Sequence, residues 1–229
     1  MEERAALVTG GSSGIGLAIA AMLRDEGFAL TLVSRRAERV EPAAAQLGAL
    51  AVTANVSDED DCVRAVAAHR DRYGRLDVLV NSAGIGIAAG VEQIQTKHLD
   101  LQLGVNLRGL IIVTREAMPM LRESGGLVVN LASIAGTAGV PVLPVYAATK
   151  AAVINFTQSL NRGSENDGIR ACALCPGFVD TPMASYSGLA AEDMIQPEDC
   201  AEVVRMLLRL GPRARIPQVV IERVGEGFA

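Results

Sequence analysis

The chain has 229 residues, half of them hydrophobic but only 3% aromatic, with a net charge of -5 at pH 7. That length suits one domain, residues 1–229, and the acidic balance leaves no basic footprint for nucleic acid. No apolar run reaches the roughly 18 residues that span a bilayer, and Met1-Glu2-Glu3-Arg4 runs into a strand pattern without a signal-peptide arrangement, so a soluble, cytoplasmic protein is expected.

Short apolar runs alternate with longer amphipathic ones, the pattern of βαβ units. Ala5 to Val8 reads as a first strand and Gly14 to Glu26 as a helix rich in Ala, Leu and Ile. Gly27, a natural helix terminator, precedes a second strand from Ala29 to Ser34. Leu50 to Asn55 reads as a third strand, followed by a helix capped at Ser57 or Asp58 and running to about Tyr73. Asp77 to Asn81 is a fourth strand and Gly126 to Ala132 a fifth, with a helical pattern from Thr96 to Leu121 that leaves room for a break. A helix over Val145 to Asn161 leads to a sixth strand, Ile169 to Cys175. Pro197 to Leu210 is helical with Pro in its first turn, and Gln218 to Ile221 is a seventh strand. Ala, Val, Leu and Ile therefore supply the core of a buried parallel sheet. Right-handed crossovers make the expected fold α/β, a doubly wound sheet with helices on both faces in three layers. Such sheets bind ligands at the carboxyl ends of their strands.

Four cysteines are too few and too scattered for a disulfide framework. Cys172 and Cys175 form a C-x-x-C, but on a strand residues three apart face opposite ways, which suits neither a metal nor a redox pair. His69 and His98 lie far from any ligand cluster, so no metal is expected.

Directly after the first strand comes Thr9-Gly10-Gly11-Ser12-Ser13-Gly14-Ile15-Gly16, and then a helix. Glycines in that context allow a tight turn, close approach of a pyrophosphate to the backbone, and close helix–sheet packing. The helix N-terminus offers unpaired N–H groups and a partial positive charge. An ordinary glycine turn is the bland alternative. Downstream, Tyr146-Ala147-Ala148-Thr149-Lys150 places a phenol and an ammonium four residues apart, on one face of a helix. An ordinary tyrosine, with a pKa near ~10, is a poor base at neutral pH. A nearby lysine cation favours the phenolate, so that Tyr146 can take a proton from an alcohol or give one to a nascent alkoxide. Ser133, 13 residues earlier at the end of the fifth strand, can hydrogen-bond the substrate oxygen as charge develops on it.

The spacing T-G-x-x-x-G-x-G resembles that of the short-chain dehydrogenase/reductase family. The likeness continues in Asn81-Ser82-Ala83-Gly84, in the order and spacing of Ser133, Tyr146 and Lys150, and in Pro176-Gly177, and covers residues 5 to 181. It implies a nicotinamide cofactor held by Gly10, Ser12, Ser13, Gly14, Ile15 and Gly16, with Asn81, Ala83 and Gly84 behind it. It implies a fourth catalytic member, Asn106, in a water-mediated proton relay to Lys150, which would also bond the nicotinamide ribose. Pro176, Gly177, Val179 and Thr181 would orient the carboxamide, while Asp180 reads as a solvated turn residue. Asn55 and Val56 stand where the family contacts adenine, although the family more often has Asp in place of Asn55.

An NAD site usually carries a carboxylate about 20 residues past the glycines. Here the second strand ends in Ser34-Arg35-Arg36. Ser34 can donate to a 2′-phosphate and Arg35 can pair with it, which points to NADP(H). Arg36 is a weaker candidate, and a solvated arginine pair at a helix start is the bland reading.

Three loops, around 84–95, 136–145 and 181–196, would shape the substrate pocket. The first two are small and apolar, which suits an uncharged carbonyl compound. Met183, Tyr186 and Met194 are candidates to cover it. The leading expectation is reduction of a ketone, aldehyde or 3-oxoacyl compound with NADPH. Oxidation of an alcohol or hydroxy acid by the same residues is the second reading. A non-catalytic NADP(H) sensor would be expected to lose Tyr or Lys, and an epimerase would carry a different glycine spacing. Arg108, Arg115 and Arg122, seven apart, are either a patch for an acidic carrier protein or a solvated face, the blander of the two. The family likeness implies a homodimer through the helices near 96–122 and 146–161, or a homotetramer. The segment Arg215 to Val224 departs from the usual tetramer contact.

Overall fold

The computed structural model describes residues 3–185 and 187–225. Strands β1 (Ala5–Thr9), β2 (Ala29–Ser34), β3 (Leu50–Thr53), β4 (Val78–Asn81), β5 (Leu127–Leu131), β6 (Arg170–Pro176) and β7 (Gln218–Ile221) form one sheet in the order β3-β2-β1-β4-β5-β6-β7. Every neighbouring pair is parallel. The expected doubly wound α/β sheet is therefore present. Chain order reverses between β1 and β4, where Thr9 and Asn81 are register partners, and a crevice opens at such a reversal.

Helices α1 (Gly14–Asp25), α2 (Ala37–Leu47) and α7 (Pro197–Arg209) cover one face, packing Ile19, Leu23, Val40 and Val204 against Val8, Leu30, Leu32 and Leu174. On the other face α3 (Glu59–Tyr73) and α5 (Leu110–Ser124) pack Val66, Val113 and Leu121 against Leu7, Leu79 and Val128. Beside them, α6 (Pro144–Gly163) places Val153 and Ile154 over Ala173 and Cys175. Leu7, Leu23 and Leu79 are fully buried, each worth about 1.5–3 kcal/mol of transfer free energy.

Two local features differ from the sequence pattern. Helix α2 carries Pro42 in its interior, which removes a backbone donor and obscures the helical signal; Gly48, at φ +64°, ends it. The long helical stretch runs as α4 (Thr96–Leu103), a π turn (Gly104–Gly109) and then α5, to Ser124 rather than Leu121. A Cβ at Gly109 would collide with the carbonyl of Val56, so the π turn presses its backbone against the segment after β3. Asp58, not Ser57, caps α3, accepting from the Asp61 N–H at 3.1 Å.

Cys172 and Cys175 point to opposite faces of β6, and burial pushes their thiols up to about 12 and about 11. The four cysteines are free. His69 is sealed in the core between Thr31 Oγ1 at 2.8 Å and the carbonyl of Arg75 at 2.9 Å. Burial draws it down to about 4, so it sits neutral, donating from Nε2 to that carbonyl. Among the described residues no helix is long and apolar enough to cross a membrane, and no group of His, Cys, Asp and Glu could hold a metal ion.

Candidate active site

At the carboxyl ends of the strands lies a cleft with two halves. The first, of about 320 Å³, lies over β1 and β2, and the second, of about 270 Å³, over β5 and β6. Ile15, Ser82, Gly84, Thr181 and Met183 line both halves, so the two are continuous.

The first half begins at the turn after β1. Gly10 and Gly14 adopt φ +68° and +52°, the left-handed region that favours glycine. Gly16 does not line the cleft; a Cβ there would stand 2.5 Å from the Gly10 carbonyl, so its role is to let α1 close on the turn. Ser13 is the N-cap of α1 and makes no side-chain capping bond, which leaves first-turn N–H groups for an anion. Ser12, Ser13, Gly14 and Ile15 line this half, and Ser12 Oγ donates to Ser34 Oγ at 2.9 Å across the end of β2.

Arg35, Arg36 and Arg39 complete that end. Arg36 has Glu38 at 4.0 Å, whereas Arg35 and Arg39 form no ion pair among the described residues. Arg39 escaped the sequence reading because only the turn into α2 brings it back to the strand end. Asn55, Val56, Ala83 and Gly84 also line this half. The Asn55 amide oxygen accepts from Ser57 Oγ at 2.9 Å and Ser57 N at 3.3 Å, and Asp61 takes the Asn55 N–H at 2.7 Å. The amide assigned to adenine is thus already closing a turn, with both lone pairs of its oxygen engaged.

Asn81 requires a larger correction. It is 2% exposed and lies inside the sheet, donating to Thr114 Oγ1 at 3.0 Å and Asn130 Oδ1 at 2.9 Å. Asn130 continues the chain to Thr157 Oγ1 at 2.9 Å. Asn81 therefore ties β4 to β5 and α5 beneath the cleft and does not line it. The signal was available: on β4 it shares a face with Leu79, which packs under α5.

The second half brings Ser133, Tyr146 and Lys150 together, with Pro176, Gly177, Val179 and Thr181 also lining it. Ser133 caps the short 3₁₀ turn Ile134–Gly136, accepting from the Ala135 N–H at 3.2 Å. A Cβ at Gly136 would stand 2.7 Å from the backbone carbon of Lys150, so this turn is pressed onto α6 and fixes Ser133 relative to the helix. Pro144 starts α6, and one turn separates Tyr146, half-buried, from Lys150, which is 4% exposed. The Lys150 ammonium donates to the Leu131 carbonyl at 2.6 Å and sits 5.6 Å from the centre of the Tyr146 ring. Burial draws Lys150 down to about 8.

Asn106 is behind these residues. It receives the Ile85 N–H at 2.8 Å, donates to the Ile85 carbonyl at 2.9 Å, and donates to Thr149 Oγ1 at 3.1 Å. Thr149 in turn donates to the Tyr146 carbonyl at 2.7 Å, a link the sequence reading missed. The remaining wall is apolar: Ile134, Val140, Leu143, Phe178, Met183 and Ala184. Met194 does not reach either half, and Tyr186 lies outside the described residues.

The arginine stripe is occupied by the protein's own carboxylates. Arg108 and Arg115 meet Glu59 at 2.6 and 2.9 Å, and Arg122 meets Asp167 at 3.0 Å. The hydrogen bond from Arg115 holds the Glu59 carboxyl below its ordinary range.

A parallel sheet with this switch-point cleft and a Ser/Tyr/Lys wall defines a nucleotide-dependent oxidoreductase class. The family model for short chain dehydrogenase matches residues 4–191, and the chain belongs to that family. An oxidoreductase of Staphylococcus epidermidis is 34% identical over 230 residues, covering 98% of this chain and 99% of the relative. One from Staphylococcus aureus is 30% identical over 228 residues with the same coverage. Among solved structures, an alcohol dehydrogenase from the archaeon Thermococcus sibiricus, complexed with 5-hydroxy-NADP, superposes with a TM-score of 0.92 at 29% identity, covering 99% of each chain. Levodione reductase superposes at 0.89 with 31% identity, covering 97% of this chain and 96% of its own.

Proposed function

We propose that this oxidoreductase uses NADP(H) to reduce a neutral carbonyl compound: a ketone, an aldehyde or a 3-oxoacyl compound. One observation carries the cofactor choice. Among the described residues, those lining the first half of the cleft include three arginines and no carboxylate. A ribose 2′-phosphate carries close to two negative charges, which Arg35 and Arg39 would pair and Ser34 would hydrogen-bond. The solved neighbour complexed with 5-hydroxy-NADP supports the same choice. The cleft fits the group: the Gly10–Gly14 turn and the open N-terminus of α1 suit a pyrophosphate, and Thr181, Val179 and Gly177 flank the second half, where the ring belongs.

When bound, the nicotinamide supplies or accepts the hydride. The chain's own residues handle the oxygen and the proton. Ser133 Oγ would bond the substrate oxygen and stabilise charge as it develops there. Tyr146 would give its phenolic proton to that oxygen, and Lys150 would hold positive charge beneath the phenol so that the phenolate left behind is stabilised. Asn106 would hold the wall in place and feed the proton relay to Lys150. The same steps run backwards with an alcohol, and the likeness to an alcohol dehydrogenase favours keeping the oxidative direction as a second reading.

Leu101, Leu103 and Ile111 are each more than a third exposed on α4 and α5. That apolar surface suits assembly as a homodimer or homotetramer, and the protein is taken to work in the cytoplasm. The deciding experiment follows NADPH and NADH consumption by the purified protein against ketones, aldehydes, diketones and 3-oxoacyl thioesters. Turnover with NADPH on one class supports the reading. Tight NADPH binding with no turnover in either direction would overturn it.

A further inference from the structure

We infer that Gln102 is a positioning residue, which sets the wall of the substrate half of the cleft by holding the loop between Gly84 and Gly90. The proposal rests on the reductase reading above and names a residue that neither the motifs nor the cleft lining single out.

Gln102 is 2% exposed on the inner side of α4. A buried amide is costly unless its groups are paired. Its oxygen receives the Ile87 N–H at 3.1 Å, and its nitrogen reaches the His98 carbonyl of its own helix at a long 3.4 Å. The better bond is thus the one to the loop. Four residues on, Asn106 brackets both backbone groups of Ile85. Two amides at that spacing lie on one helix face, and alternate residues of an extended segment share an edge. Ile85 and Ile87 are therefore gripped in sequence.

The grip continues across the cleft. Ala89 N–H donates to the Val142 carbonyl at 3.1 Å, joining this loop to the one whose Val140 and Leu143 line the substrate half. Between the two grips lies Gly86, where a Cβ would come within 3.6 Å of the Tyr146 ring. Gln102 thus fixes a chain of contacts from α4 through Ile87 and Ala89 to Val142. Loosening it would widen the pocket beside the phenol without touching the nucleotide end, because neither Ile87 nor Ala89 lines the first half.

Three variants test this. Gln102→Met keeps the shape and removes both hydrogen-bonding groups. Gln102→Asn keeps the amide but is too short, and serves should the Met variant not fold. Gln102→Glu, assayed at a pH where its buried carboxyl is protonated, retains an acceptor for the Ile87 N–H and a donor for the His98 carbonyl. In Gln102→Met or Gln102→Asn, amide hydrogen exchange at Ile87 and Ala89 should rise. KM for the best carbonyl substrate should rise about three- to tenfold, the range one hydrogen bond supports. NADPH affinity and kcat should stay within about twofold, and Gln102→Glu should recover most of the change. Wild-type exchange and KM in the Met and Asn variants would overturn the proposal. So would a parallel fall of NADPH affinity, kcat and Tm with no recovery in Gln102→Glu. If the wild type reduces no carbonyl compound, the reductase reading fails alone, and exchange at Ile87 still decides whether Gln102 holds the loop.

Discussion

The two halves of the cleft recognise by opposite physics. The nucleotide half ends in exposed arginines whose charge meets water as well as ligand. The reacting half is largely apolar, with the Lys150 cation sealed beneath the phenol and bonded to the Leu131 carbonyl. Exposed charge gives adaptable affinity that salt and competing ions can weaken, whereas buried charge gives fixed geometry and a displaced pKa. The difference assigns cofactor choice to one end and proton chemistry to the other, so each should fail independently.

The largest separation should come from Tyr146→Phe. Reduction should fall by about 10²- to 10⁴-fold, the range for a lost general acid, with NADPH affinity within a few-fold of wild type by fluorescence titration. Comparable losses in both would mean that the halves are not separable. Arg35→Ala, combined with Arg39→Ala, should weaken NADPH binding about 10- to 100-fold while leaving NADH binding nearly unchanged, as charge-assisted bonds to a phosphate predict. Equal losses for both cofactors would remove these arginines from the 2′-phosphate.

The pH profile sharpens the comparison further. Lys150 carries its proton below about 8 and loses it above. Reductive kcat/KM should therefore hold steady below that value and then fall about tenfold per pH unit, while NADPH affinity stays flat across the same range. A plateau reaching pH 10 would contradict a lowered Lys150. The smallest expected effect is that of salt. Raising the ionic strength to about 0.5 M should weaken NADPH binding a few-fold and leave kcat unaltered, because screening reaches the exposed arginines and not the sealed ammonium.

How much of this was readable without coordinates varies by residue. The sheet, the glycine turn and the Tyr146/Lys150 pair could be placed because each depends on local periodicity: a strand of period 2, a helix of period 3.6, a turn needing glycine. Ser133 followed from its place at a strand end. The reading misplaced Asn81 because a motif match gives the position of a residue but not which side of the sheet its side chain faces. Arg39 and Thr149 were missed for a related reason. Their roles arise when one element returns past another, and no spacing in the chain encodes that. Gln102 was closer to legible, since it stands four residues before Asn106 on a helical pattern, yet its partner is a backbone N–H in a loop. The arginine stripe reads as a solvated face because Glu59, 49 residues from Arg108, supplies the neutralising charge.

The π turn between Gly104 and Gly109 bears on how this chain can change over time. It contains Asn106, which with Gln102 grips one loop, and it ends where Gly109 meets the Val56 carbonyl. The turn carries one residue more than an α-helical turn, so deleting one would close it to the α form and move the Asn106 grip on Ile85 relative to the Gly109 contact with Val56. Side chains on the outer surface of α4 and α5 are free to drift, but the length of backbone from Gln102 to Gly109 is not.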